Sequence, residues 1–131
     1  MGMKLVKIYE CLCDQTRLRI LNLLGGGPLC VCDIQQVLGE PQVKVSKHLA
    51  YLRVRGMVSV RRDSNWMIYS LPTKRSAELE RNLSCLQDCS GEEPAFRSDI
   101  RRLAQLAAAL KKGGSCCSLT PKRSRKAPQT A

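Results

Sequence analysis

Aromatic residues make up only 4% of this 131-residue sequence, and there is a single histidine, His48. The core must therefore be built from Leu, Ile, Val and Ala, which suits helices packed on helices. A hydrophobic content of 44% is enough to close one such core, and the length leaves room for one domain. No apolar run reaches 18 residues, which argues against a membrane-spanning helix. The start, Met1-Gly2-Met3-Lys4-Leu5, lacks the apolar stretch of a secretory signal, so a cytoplasmic location is expected. Cys-x-x-Cys is absent, and no Gly-rich anion loop surrounds a cysteine, so thiol-based catalysis has no visible scaffold. No catalytic residue and no cofactor are assigned.

Acidic residues are half as numerous as basic ones, 11 against 22, and the imbalance is local. Residues 1–41 are neutral, 42–75 carry +7, 76–110 carry −2 and 111–131 carry +6. A central basic block of this kind is the electrostatic footprint of phosphate-backbone binding. Eight cysteines fall in four pairs: Cys11/Cys13, Cys30/Cys32, Cys85/Cys89 and Cys116/Cys117. In a cytoplasmic chain these are reduced thiols, available for metal binding or packing. Cys30 and Cys32 form a soft-ligand pair just upstream of the basic block.

Hydrophobic spacing predicts helices over residues 4–13, from an Asp14 N-cap to Leu24, and, after a short extended piece at Leu29, over Val31–Leu38, with Gly25-Gly26-Gly27-Pro28 and Gly39 as stops. A fourth helix is expected from Gln42 to Arg55, closed by Gly56. The period then changes: Met57–Arg62 and Trp66–Leu71 read as a hairpin around Asp63-Ser64-Asn65. Two more helices follow, from Pro72-Thr73 to Asp88 and from Glu92 to Lys112. The fold expected is mainly α with a small β-hairpin, a winged helix–turn–helix spanning residues 1–112. The flanking N- and C-terminal helices offer spare apolar surface for a homodimer. Residues 113–131, with Cys116-Cys117, are expected to form a disordered basic tail.

The fourth helix, about 14 residues and ~20 Å long, is sized for a major groove. Gln42, Lys44, Ser46, Lys47 and His48 carry donors and acceptors for base edges, with Val43, Val45, Leu49 and Leu52 assigned in part to its core side. Arg53 and Arg55 are placed for phosphates, and Arg61, Arg62 and Asn65 of the hairpin for the adjacent backbone or minor groove. Each residue also reads as ordinary solvated surface. Their concentration between Pro41 and the hairpin favours double-stranded DNA.

Four stretches, Asp14–Leu21, Leu29–Ile34, Val45–Arg53 and Gly56–Val58, together with the Trp66–Leu71 strand, resemble the ArsR/SmtB family of metalloregulatory repressors. The resemblance covers about residues 4–72 and is strongest to arsenite-responsive members. It implies a homodimer on a palindromic operator that leaves when inducer binds, here arsenite and by extension antimonite. Trivalent arsenic is thiophilic and suits a pyramidal three-thiolate site. Cys30 and Cys32, at the start of the third helix, are the expected ligands, the helix dipole favouring their thiolate forms. Arsenite repressors of the family carry a third cysteine three residues after the second, where this chain has Gln35. The third ligand is left open among Cys11, Cys13, Cys85, Cys89, Cys116, Cys117 and none. Cys11 and Cys13 stand where the family has small buried residues, so packing is also a reading for them. Rival readings are a redox- or zinc/cadmium-responsive repressor of the same fold, a thiol oxidoreductase or arsenate reductase, and Cys30/Cys32 as inert packing.

Overall fold

The computed structural model describes residues 4–89 and 91–111. Its elements are α1 (Lys4–Leu12), α2 (Gln15–Leu24), β1 (Leu29–Cys30), α3 (Val31–Leu38), α4 (Gln42–Val54), β2 (Ser59–Asp63), β3 (Trp66–Ser70), α5 (Ala77–Cys89) and α6 (Pro94–Lys111). Helices α3 and α4 are the helix–turn–helix pair, and β2 and β3 are the wing. No helix among the described residues is long and apolar enough to cross a membrane.

Helix α2 is the hub of the core. Ile20, Leu21, Leu23 and Leu24 are buried against Ile34, Val37 and Leu38 of α3, Leu49 and Leu52 of α4, and Leu79, Leu83 and Leu86 of α5. Its N-terminus is fixed by the expected cap: the Asp14 carboxylate accepts the Arg17 backbone N–H at 3.1 Å. Helix α4 ends in a Schellman turn. The Met57 N–H donates to the Leu52 carbonyl at 2.9 Å and the Gly56 N–H to the Arg53 carbonyl at 3.0 Å, with Gly56 at φ 76°. Leu52 and Met57 are both buried, so the turn that launches the wing is anchored in the core.

The wing is a three-stranded sheet, ordered β1-β3-β2, and not the lone hairpin expected. Strand β1 pairs antiparallel with β3, Leu29 opposite Tyr69 and Cys30 opposite Ile68. Strand β2 closes on β3 as far as Asp63 opposite Trp66, which leaves a two-residue turn of Ser64 and Asn65. Ser64 supplies the positive φ, 59°, that such a tight hairpin turn requires.

Two helix starts differ from expectation. Helix α5 begins at Ala77, not at Pro72-Thr73, because Ser76 is the residue that caps it: its Oγ accepts the Leu79 N–H and its carbonyl the Glu80 N–H. Helix α6 begins at Pro94, whose missing N–H is harmless in a first turn, while the N–H groups of Glu92 and Glu93 close back on the Cys89 carbonyl. Lys112 and the tail, with Cys116 and Cys117, lie outside the described residues.

Helix α6 lies against α2 and α3. Its Asp99 carboxylate, fully buried, takes two 2.8 Å hydrogen bonds from the Arg19 guanidinium, and Arg102 donates to the Val37 carbonyl near the end of α3. The hydrogen bond from Arg19 to Asp99 is the main cause that holds Arg19 more firmly protonated than usual. Asp99→Ala removes one partner of a buried pair and is expected to cost about 3 kcal/mol in urea unfolding.

Burial alone raises the Asp14 pKa, but the Arg17 N–H bond and the charges of His48 and Arg17 outweigh it and leave the carboxyl below its ordinary range. A depressed folded-state pKa contributes stability above the unfolded value that is lost as pH falls through the folded one. Asp14→Ala is therefore expected to cost about 1 kcal/mol at neutral pH. The gap to wild type should narrow in acid, checked by urea melts from neutral to acidic pH.

Candidate nucleic-acid interface and thiol site

Three buried residues, Val45, Leu49 and Leu52, fix the rotation of α4 on the core. The opposite face presents Gln42, Val43, Ser46, Lys47 and Ala50, all exposed, in a shallow surface groove. Val43 is 69% exposed, which corrects its assignment to the core side: at 100° per residue it falls beside Lys47 and Ala50, away from Val45. The outward face thus pairs hydrogen-bonding side chains with two apolar ones, Val43 and Ala50. This is the mix that reads base edges and thymine methyl groups in a major groove.

The flank of α4 is different. Lys44 is exposed, with Nζ 3.1 Å from the Glu40 carboxylate. His48 is half-buried, its Nδ1 3.4 Å from the Arg17 guanidinium. Arg17 also donates to the carbonyls of Cys11 and Glu10, both at 3.0 Å, and lies 4.0 Å over the Tyr51 ring. Arg55, assigned to phosphates from the sequence, stacks at 3.5 Å on that same ring and donates to the Tyr51 carbonyl. Tyr51 and its two guanidiniums tie α4 to the α1–α2 junction. The sequence reading gave Arg17 and Tyr51 no role. Tyr51 and Arg55 at i, i+4 carry a signal for it, but Arg17, 34 positions before Tyr51, gives none.

On the wing, Arg62 is exposed and its Nε donates to the Ser64 carbonyl, while Asn65 is exposed at the turn. Arg61 is half-buried and, by alternation, points to the other face of the sheet. That face also carries Ile68 and Cys30, since Arg61 stands opposite Ile68 and Ile68 opposite Cys30. Arg61 and Arg62 therefore belong to opposite surfaces of the wing.

Cys30 closes β1 and serves as N-cap residue of α3; it is fully buried. Cys32, half-buried, lies in the first helical turn. The two pack with Ile68 and Trp66 in a small cluster of their own, separate from the main core. Neither forms a disulfide. The donor set fits a two-thiolate chelate for a soft ion, but no group of three ligating side chains is gathered among the described residues. Gln35, three residues after Cys32, is half-buried. Cys11 is fully buried and its thiol is pushed up in pKa, chiefly by that burial, as suits a packing residue. Cys13, Cys85 and Cys89 are exposed at another place in the fold.

A family profile described as bacterial regulatory protein, arsR family, matches residues 14–60, from the α2 cap into β2. The arsenical resistance operon repressor of Escherichia coli K12 is 42% identical over 101 residues, which cover 76% of this chain and 85% of the relative. The chain belongs to the ArsR family. ArsR-type architecture is found in solved structures as well. The homodimeric winged helix–turn–helix DNA-binding domain of Mb0332 from Mycobacterium bovis, a possible ArsR-family regulator, has TM-score 0.57 at 25% identity, covering 68% of this chain and 80% of that one. The AntR antimony-specific transcriptional repressor has TM-score 0.54 at 28% identity, covering 67% and 80%. As an ArsR-family protein the chain is a transcriptional regulator built on a winged helix–turn–helix, and not an enzyme.

Gly56→Ala puts a Cβ at φ 76°, in open space but in a backbone region that L residues rarely adopt. The expected loss is about 1 kcal/mol. DNA affinity should fall by more than the unfolded fraction explains, because the turn sets the angle between α4 and the wing; thermal melts and DNA titrations on one preparation check this.

Proposed function

We propose that the chain is a homodimeric repressor of operator DNA, released when trivalent arsenic, or antimony, binds the thiolates of Cys30 and Cys32. In this reading Gln42, Ser46 and Lys47 meet base edges, Arg62 and Asn65 hold the flanking backbone, and Lys44, His48 and Arg61 support them from the sides. The exposed apolar residues of α1, Val6 and Tyr9, with the C-terminal helices, are the surface offered to a second copy.

The observation that carries the reading is the double membership of the thiol pair. Cys30 is paired to the wing through Ile68, and Cys32 lies in a helix packed against α4. Closing two As–S bonds on side chains one residue apart draws together a strand residue and a helix residue. Neither partner can shift alone: β1 carries β3 with it, and α3 leans on the recognition helix. Because Cys30 is fully buried beneath Ile68 and Trp66, entry of the metalloid requires that packing to yield. The bound form accordingly holds wing and helix at a spacing that fits DNA less well, and DNA weakens inducer binding by the same factor.

Anisotropy of the protein on its own upstream DNA, titrated with arsenite under reducing conditions, tests this. Affinity for DNA is expected to fall by roughly 5–150-fold, the usual size of such coupling. Cys30→Ser/Cys32→Ser should bind DNA as tightly as wild type and ignore arsenite; full release of that variant would remove the pair from the sensor. Lys47→Ala should weaken DNA binding and relax specificity at the base pair it reads, whereas Arg62→Ala should weaken binding across sequences and lower the salt slope by about one, both with arsenite affinity retained. Trp66, the sole tryptophan, packs on the thiol pair and should report arsenite binding as a fluorescence change.

A further inference from the structure

Cys13, Cys85 and Cys89 meet around one cavity. It is about 690 Å³, lies between the α1–α2 junction, α5 and the start of α6, and is walled by Leu12, Leu18, Leu86 and Phe96. Cys85 and Cys89 stand at i, i+4 on α5, are exposed in the chain, and line the same wall of the cavity. Cys13, in the α1–α2 junction, lines the same cavity but is turned back toward α1, its thiol donating to the Glu10 carbonyl at 3.3 Å. The three do not form a ready three-ligand site, since no such group is gathered among the described residues.

We propose that Cys85 and Cys89 form a second thiol site, selective for a trivalent arsenical that carries one apolar organic substituent. Trivalent arsenic makes three bonds. With one bond already to carbon, a two-thiol pair saturates it, whereas inorganic arsenite on the same pair keeps one polar As–O bond and brings no substituent to fill the cavity. The substituent enters the adjoining cavity, where the leucines and Phe96 remove it from water at roughly 25 cal/mol per Å². Binding is an exchange without redox change. Two As–O bonds of the hydrated arsenical R–As(OH)2 are replaced by two As–S bonds, each thiol proton leaves with a hydroxide as water, and arsenic remains trivalent. Such an arsenical is neutral, as arsenous acid is at neutral pH, so the carboxylates of Asp14 and Glu93 on the cavity wall repel neither and the apolar substituent carries the selectivity. The site stands independently of the Cys30/Cys32 reading.

The test uses the full chain with Cys30, Cys32, Cys116 and Cys117 replaced by Ser, which silences the other thiol pairs apart from Cys11/Cys13. Phenylarsine oxide is the probe, with intact mass spectrometry in a thiol-free reductant. One phenylarsenic per chain is expected. It should be lost on adding Cys85→Ser/Cys89→Ser and kept on adding Cys13→Ser, with circular dichroism unchanged in both. Inorganic arsenite should bind this variant at least about tenfold more weakly than the phenyl compound. No adduct, an adduct that survives Cys85→Ser/Cys89→Ser, one that requires Cys13, or equal affinity for arsenite would each overturn the proposal. In wild type, the Trp66 signal separates the outcomes: binding at Cys30 and Cys32 perturbs it, and binding on α5 leaves it silent.

Discussion

Two residues of antiparallel pairing, Leu29 on Tyr69 and Cys30 on Ile68, hold the wing to the body of the protein on the thiol side. Without them β2 and β3 would be an isolated hairpin, which is marginal in water. With them the wing gains a third strand, and that strand runs without a break into the helix that packs on α4. Orientation of the wing, burial of the thiols and placement of the recognition helix are thereby one mechanical unit. The other end of the unit is closed by the Schellman turn at Gly56, so the wing is anchored at both of its chain connections.

Behind that unit α6 works as a brace. Its Asp99 grips Arg19 on α2, and its Arg102 holds a carbonyl of α3 that the helix itself leaves without a partner at its end. Buried charge contributes little net stability, yet it penalises any arrangement in which α6 is shifted by a fraction of a turn. The thiol helix is therefore backed by a stiff surface on one side and faces the small Cys30–Ile68–Trp66 cluster on the other.

Much of this was legible in the sequence, for reasons that differ by element. The helices around Ile20–Leu24, Ile34–Leu38 and Val45–Leu52 declare themselves through apolar spacing, and Asp14, Gly39 and Gly56 through the backbone chemistry of helix ends. Strand β1 shows only as a short extended piece at Leu29; its pairing does not show, because two residues are too short to give a period and the partner lies 38 or more positions away. Val43 carries a misleading signal, because a valine reads as core and only the rotation fixed by Val45, Leu49 and Leu52 turns it outward. Pro72 has the look of a first helical residue, but the capping hydroxyl belongs to Ser76. The pairing of Cys30 and Cys32 was visible from spacing alone. The meeting of Cys13 with Cys85 and Cys89 joins the two ends of the folded core and leaves no trace in local pattern.

The partners found for basic side chains change the meaning of the chain's charge. Of the eight cations between residues 42 and 75, Lys44 faces Glu40, Arg75 faces Glu80, and Arg55 lies flat on Tyr51. These three already have partners within the protein before any phosphate arrives. Counterion release on DNA counts only the cations that exchange solvent for phosphate. The basic block is thus part scaffold and part ligand, and its formal charge overstates how steeply salt should loosen the grip on DNA.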